Sequence, residues 1–131
     1  MDETISPAVT DMLNRGILST VTETNLDALL DSKTLVVLFF TGGPKRVRES
    51  HDIAVALREV LKDYMGMVDT AVFDVEQETQ HYARFRVITA PCLVFISGGK
   101  TLEVIPGVRD WSDYVQAFQR YLGRPLREAN A

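Results

Sequence analysis

The side chains that most often carry redox or metal chemistry are scarce in this sequence. Cys92 is the only cysteine, so neither an intramolecular disulfide nor a cysteine-rich metal site can form within the chain. Catalysis by its thiol would require a depressed pKa and usually a partner cysteine, whereas the apolar stretch around it favours a buried, structural role. The two histidines, His51 and His81, fall in separate helical segments without companion ligands. The sequence therefore predicts no metal site and, lacking phosphate-loop and dinucleotide fingerprints, no cofactor.

The loop TGGPKR has the composition of a contact surface. Gly42 and Gly43 allow close backbone approach and unusual φ angles, and Pro44 stiffens the loop. A long helix is predicted to follow, so the unpaired N–H groups at its start lie beside Lys45 and Arg46. The N–H groups and the two basic side chains together would attract an anion or a carboxylate. Because functional residues concentrate on loops, we treat these five residues as candidate partner-binding residues. The alternative is a loop that is merely solvated.

Composition and charge exclude several functional classes. The chain carries 14 basic and 18 acidic residues, a net charge of −4, and has no basic run, which disfavours nucleic-acid binding. No apolar stretch approaches the roughly 20 residues that a membrane helix needs. The acidic opening MDETISPAV lacks the apolar region of a secretory signal. We expect one domain over residues 1–131, located in the cytoplasm and without membrane insertion.

Apolar spacing and turn signals divide the first half of the chain into alternating helices and strands. Ser6 and Pro7 mark the start of a helix that Gly16 ends. The unbroken apolar run LVVLFF is too short for a buried helix and fits a strand covered on both faces. The elements predicted here are a helix at 7–15, a strand at 17–21, a short helix beginning near residue 25, a strand at 35–40 and a long helix at 48–64.

The second half of the chain continues this alternation and ends in a hairpin and a helix. Gly98 and Gly99 form the hairpin turn. The predicted elements are strands at 67–75, 91–97 and 100–105, a short helix at 77–85, a helix at 110–122 with Trp111, Val115, Phe118 and Leu122 facing inward, and a frayed tail at 124–131. The order predicts an α/β fold with a mixed sheet of four to five strands and helices on both faces.

Three stretches of the sequence resemble thioredoxin. They are VVLFF at 36–40, FDVEQETQHYARFRVITAPCLVF at 73–95 and the GGKTLEVIPGVRDWSDYVQAF segment that starts at Gly98. The resemblance covers about residues 17–122 and implies a thioredoxin-like fold. Redox thioredoxins place C-G-P-C between the central strand and the long helix, and here that link reads TGGPKRVRES without a cysteine. Leu38 stands where those proteins hold a buried aspartate, so the whole redox apparatus is expected to be absent.

A narrower set of motifs resembles the HyaE/HupG family of thioredoxin-like proteins for NiFe uptake hydrogenase maturation. The motifs are FFTGGPKR, DxEQET at 74–79, RFxV at 84–87 and PxLVFxxGG at 91–99. Members of this family lack the C-x-x-C pair and are implicated in binding the hydrogenase small-subunit precursor, including its twin-arginine signal peptide, before export. The resemblance implies the same partner here, with other hydrogenase maturation proteins as further candidates.

The thioredoxin resemblance also implies where a polypeptide would bind. The proline that matches Pro91 is cis in that fold, which exposes the backbone of Thr89 and Ala90 for pairing with an extended peptide. The loop containing Pro106 and Gly107 lies beside it and completes the groove. The alternative for each segment is a purely structural turn, because a site carried over from a fold is an analogy.

Carboxylates are the other implied binding residues. The arginine pair of a twin-arginine motif prefers carboxylates in bidentate geometry, and Glu76 and Glu78 are the candidates. The alternative role of these two glutamates is to stabilise a short helix through its dipole. We predict a non-catalytic chaperone that captures the precursor and releases it for export. A thiol-disulfide oxidoreductase using Cys92 alone, and a generic thioredoxin-fold adaptor of another assembly, remain open at this point.

Overall fold

The computed structural model of the protein describes residues 5–124. Helices and strands alternate along the chain as the sequence predicts. In chain order they are α1 (Pro7–Asn14), β1 (Ser19–Val21), α2 (Leu26–Leu30), β2 (Leu35–Phe40), α3 (Val47–Leu61), β3 (Val68–Phe73), β4 (Cys92–Ser97), β5 (Lys100–Pro106) and α4 (Trp111–Leu122), with short 3₁₀ turns at Pro44–Arg46 and Glu78–His81. The predicted frayed tail lies almost entirely outside the described residues.

A mixed sheet of five strands, in the order β1-β3-β2-β4-β5, forms the centre of the fold. The first three strands in this order are parallel, β4 is antiparallel to β2, and β5 is antiparallel to β4. The segments after β3, after β2, before β4 and after β5 therefore lie side by side, in that order, at one end of the strands. This end of the sheet is called its edge below. Every segment that the sequence analysis selected lies at this edge.

Helices cover both faces of the sheet, as predicted. Alternate residues of β2 belong to opposite clusters, because successive side chains of a strand point to opposite faces. Val37 and Phe39 pack with α1, α3 and α4, whereas Leu38 and Phe40 pack with α2 and with Phe85. All six residues of β2 are buried. The apolar run LVVLFF is thus the doubly covered central strand that its composition indicates.

Two local predictions are wrong. Instead of a short helix at 77–85, the chain forms the 3₁₀ turn and then irregular turns that end at Arg86, whose φ is 62°. Trp111 was expected on the inner stripe of α4 but is 49% exposed. It stands at the first position of the helix, and the buried stripe consists of Tyr114, Ala117 and Phe118.

No helix among residues 5–124 has the length and apolar character to cross a membrane.

Candidate functional site

The loop after β2 and the segment before β4 are in close backbone contact. Gly42 has a φ of 86°, and a Cβ placed on it would lie 3.2 Å from the carbonyl carbon of Ala90 and 3.0 Å from the Cβ of Arg46. Only glycine adopts this φ without strain while leaving room for such an approach. The close backbone packing that the glycines were predicted to permit therefore occurs between Gly42 and Ala90.

The segment before β4 also contacts the loop after β5. The Ala90–Pro91 peptide bond is cis, as the thioredoxin resemblance implied. The Gly107 N–H donates to the Pro91 carbonyl oxygen at 2.9 Å, and Pro106 pairs with Cys92 in the sheet. Residues 41–48, 86–91 and 106–111 consequently form one surface at the edge of the sheet, which we call the groove.

The backbone at the centre of the groove is available for hydrogen bonding. Thr89 is exposed and Ala90 is partly exposed, whereas Pro91 is buried. Neither Thr89 nor Ala90 makes a backbone hydrogen bond to another residue in the range 5–124. These N–H and C=O groups are the kind that an extended peptide pairs with when it adds to the edge of a sheet.

Glu78 lies beneath the glycine loop and is only 1% exposed. Its Oε1 accepts from the Thr41 N–H at 2.6 Å and from the Thr41 hydroxyl at 3.0 Å. Its Oε2 accepts from the Gly42 N–H at 2.9 Å and from the Tyr82 hydroxyl at 3.0 Å. A buried carboxylate needs such partners to offset its lost hydration. Glu78 therefore fixes the loop from below.

Glu78 and Glu76 do not form a paired carboxylate site. Glu76 and Asp74 are exposed, but the turn directs Glu78 into the protein, where hydrogen bonds occupy both its oxygens. The suggestion that Glu78 receives an arginine of a partner is therefore wrong, because the side chain does not reach the surface. Of the two predicted carboxylates, only Glu76 is placed where a partner could contact it.

Cys92 is fully buried, as its apolar surroundings predicted. Burial, with a smaller contribution from the Glu78 carboxylate, raises the pKa of the Cys92 thiol from 9.0 to about 12. The same two causes raise the pKa of the Tyr82 hydroxyl, which also donates to Glu78. A reactive cysteine needs the opposite shift and solvent access. The geometry at Cys92 therefore opposes nucleophilic chemistry.

The basic residues of the groove are exposed. Pro44, Lys45 and Arg46 form a 3₁₀ turn that leads into α3, and Arg46 lies 3.6 Å from the carboxylate of Glu49. Lys45 has no ion-pair partner within the described part of the chain. As predicted, this basic turn lies at the N-terminus of the long helix.

The sequence prediction placed the apolar part of a bound peptide at Ala90 and the loop of Pro106, Gly107 and Val108, but it missed the exposure of Ile88 and Trp111. Ile88 is 92% exposed, and Val108 and Trp111 are about half exposed. Ile88 stands just before the Thr89–Pro91 turn. The sequence alone does not distinguish a lone apolar residue that is exposed in a turn from one that a neighbouring loop covers.

Within residues 5–124 no group of three histidine, cysteine or carboxylate side chains is arranged to hold a metal ion.

The sheet order, the cis-proline and the cysteine-free loop define a thioredoxin-like protein without the redox pair. The chain is 26% identical to thioredoxin of Staphylococcus haemolyticus over 104 residues, which cover 78% of this chain and 95% of that protein. The family model for the hydrogenase-1 expression protein HyaE matches residues 8–114. The chain belongs to this family of hydrogenase expression proteins.

Curated relatives support the same assignment. The hydrogenase expression/formation protein HupG of Rhizobium leguminosarum bv. viciae is 36% identical over 121 residues, covering 89% of this chain and 81% of that protein. The hydrogenase expression/formation protein HoxO of Cupriavidus necator is 30% identical over 125 residues, covering 94% and 78%. An accessory role in hydrogenase expression and formation is therefore the role that the relatives share by name.

Proposed function

We propose that this chain is a non-catalytic chaperone that binds the small-subunit precursor of a NiFe uptake hydrogenase in the cytoplasm before export. The observation that supports binding most directly is the unpaired backbone of Thr89, which is exposed, and of Ala90, which is partly exposed, between the two flanking loops. Its surroundings contain no accessible thiol, because the only cysteine is buried. A surface of this kind holds a polypeptide without exchanging electrons with it.

Binding is expected to proceed by strand addition. An extended segment of the precursor would pair its backbone with Thr89 and Ala90, and the Gly42 loop and the Gly107 loop would flank it on either side. Main-chain pairing of this type is reversible, which suits a chaperone that retains the precursor until its cofactors are loaded. The rigid support of the loop by Glu78 reduces the ordering that binding requires.

The twin-arginine signal peptide is the precursor segment that the family resemblance implies. Its arginines require carboxylates, and Asp74 and Glu76 are exposed at the same edge, after β3. Because Glu78 is occupied, these two residues are the carboxylates of this segment that could contact the arginines. Charge reversal at Asp74 together with Glu76 is therefore the relevant test of signal-peptide recognition, with a binding decrease of about tenfold expected for two lost ion pairs.

The test of precursor binding is calorimetric titration of the purified protein with full-length small subunit and with signal-deleted small subunit. Thr89→Arg places a bulky charged side chain in the groove, and Ser97→Arg makes the same addition at the opposite end of β4. We expect Thr89→Arg to weaken binding at least tenfold and Ser97→Arg to leave it unchanged. Absence of binding to both forms of the subunit would reject the proposal.

Catalysis by Cys92 is tested separately by the reduction of insulin, followed as turbidity. No acceleration over buffer is expected, because the thiol is buried and its pKa is raised to about 12. Activity that disappears in Cys92→Ala would make the chain an oxidoreductase and overturn the non-catalytic assignment.

A further inference from the structure

We infer that the groove selects an extended peptide segment in which apolar residues alternate with carboxylates, and that Ile88 is the main apolar contact. This inference rests on the proposed function and specifies the chemistry of the segment that the same site takes. It also distinguishes between parts of the precursor, because the segment it describes differs from a twin-arginine pair.

The first supporting observation is the concentration of exposed apolar surface in the groove. Six large hydrophobic residues are substantially exposed in the described range, and three of them lie in two of the three segments of the groove: Ile88 in 86–91, and Val108 and Trp111 in 106–111. Ile88 is the most exposed of the six, at 92%. Scattered exposed apolar residues need no explanation, but several at one edge of a sheet mark a contact surface.

The second observation is charge. Residues 41–48, 86–91 and 106–111 contain five basic side chains, Lys45, Arg46, Arg48, Arg86 and Arg109, and one acidic side chain, Asp110. The rest of the chain contains nine basic and 17 acidic residues, so the three segments carry a net charge of +4 and the remainder of the sequence −8.

Most of these cations are unpaired. Among residues 5–124 only Arg46 of the five has a carboxylate within ion-pair distance, which is that of Glu49. Unpaired cations on an otherwise acidic protein attract acidic partners, and this attraction also speeds their association.

The third observation is the unpaired backbone at Thr89 and Ala90, which favours an extended ligand. Successive side chains of an extended peptide point to opposite faces, so an alternating sequence presents apolar groups on one side and carboxylates on the other. In the proposed complex the apolar set would contact Ile88, Val108 and Trp111, and the carboxylates would contact the cations. A cationic segment would oppose like charges in the groove, so an arginine pair is disfavoured there.

The probes are two short blocked peptides, one of alternating leucine and glutamate and one of alternating leucine and lysine. Trp111 is the only tryptophan and lies in the groove, so its fluorescence reports binding directly. We expect the glutamate peptide to bind at least tenfold more tightly than the lysine peptide, and this preference to decrease as salt is added. Equal binding, or tighter binding of the lysine peptide, would overturn the inference.

Two matched pairs of variants locate the contacts. Ile88→Ser should weaken binding of the glutamate peptide about tenfold. Met65→Ser, at an exposed residue on the loop before β3, should leave this binding unchanged. Lys45→Glu with Arg48→Glu should remove the preference for glutamate, whereas Lys33→Glu with Lys100→Glu, an equal change of net charge at the opposite edge, should preserve it. Equal effects within either pair would contradict the assignment.

The failure of this inference is separable from the failure of the proposed function. If the precursor binds but the peptides show no charge preference, the recognition chemistry is wrong and precursor binding stands. If the glutamate peptide binds as expected but the precursor does not, the proposed partner is wrong. A dimer of the wild-type protein in sedimentation that Ile88→Ser abolishes would show that a second copy covers the groove, and would overturn the inference.

Discussion

Glu78 and Ile88 lie at the same edge of the sheet and reverse the usual distribution of side chains. The glutamate is 1% exposed and the isoleucine is 92% exposed. Charged residues are almost never fully buried unless they are paired, and isoleucine is among the residues most often found inside. At this edge one carboxylate is therefore directed inward and one large apolar side chain is directed outward.

The two exceptions differ in how their free-energy costs are offset. The burial of Glu78 is offset within the chain by four hydrogen bonds from Thr41, Gly42 and Tyr82. Ile88 gains nothing comparable from the described residues, because it remains in water. The hydrogen bonds that fix the loop are therefore complete within the protein, whereas the described residues leave the Ile88 side chain uncovered.

Among substitutions at this edge of the sheet, Glu78→Ala should reduce stability most. The substitution leaves the Thr41 and Gly42 N–H groups and two hydroxyls without their acceptor, so we expect a loss of about 3 kcal/mol in the free energy of unfolding. Urea denaturation measures it. Glu76→Ala, at an exposed carboxylate two residues away, is the matched control and should leave the unfolding midpoint unchanged. Similar losses for both variants would show that Glu78 does not fix the loop.

Gly42→Ala should have the next largest effect. The φ of 86° and the short distances to Ala90 and Arg46 mean that an added methyl group both strains the backbone and displaces its neighbours. We expect a loss of about 2–3 kcal/mol. Gly16→Ala, at a φ of 74° with open space around it, isolates the strain alone and should lose about 1 kcal/mol. Equal losses in thermal unfolding would show that the contact between the loops is loose.

Cys92 should make the stability of the protein depend on pH in the alkaline range. Burial and the Glu78 charge raise the thiol pKa to about 12 from 9.0, so above pH 9 the unfolded chain loses this proton before the folded protein does. Stability should therefore fall by about 1.4 kcal/mol per pH unit between pH 9 and pH 12 because of this group.

Cys92→Ala is the control that isolates this slope, since the raised pKa values of Tyr82 and Tyr114 also contribute to the pH dependence of the wild type. Urea denaturation at several pH values in the presence of a reductant should give a flatter dependence for the variant by about that amount. Identical slopes for the two proteins would mean that the thiol ionises as it does in water.

Much of the fold follows from local sequence patterns. The run LVVLFF predicts a strand with both faces covered, and β2 has those bounds and that burial. The alternation of elements predicts a mixed sheet, and the thioredoxin resemblance predicts the cis bond before Pro91, which is present. These features depend on residue order and spacing, which a sequence states directly.

The orientation of side chains at the edge follows from tertiary structure instead. Asp74, Glu76 and Glu78 are equivalent candidates in the segment DVEQET, and only the turn after β3 determines that the last of them points inward. Likewise, Ile88 would be an ordinary core residue if a neighbouring loop covered it. The sequence therefore locates the groove but does not reveal which of its charged and apolar residues face a partner.

The smallest expected effect on stability is that of Ile88→Ser, and this result would sharpen the contrast with Glu78. Since the side chain is 92% exposed, removing it changes little apolar burial, and the free energy of unfolding should stay within about 0.5 kcal/mol of the wild type. The same substitution at Ile96, which is fully buried on β4, should cost about 3–5 kcal/mol because it loses apolar burial and leaves a hydroxyl in the core. A stability loss at Ile88 approaching that at Ile96 would mean that the side chain packs against the protein in solution, and the apolar surface of the groove would then not be available to a partner.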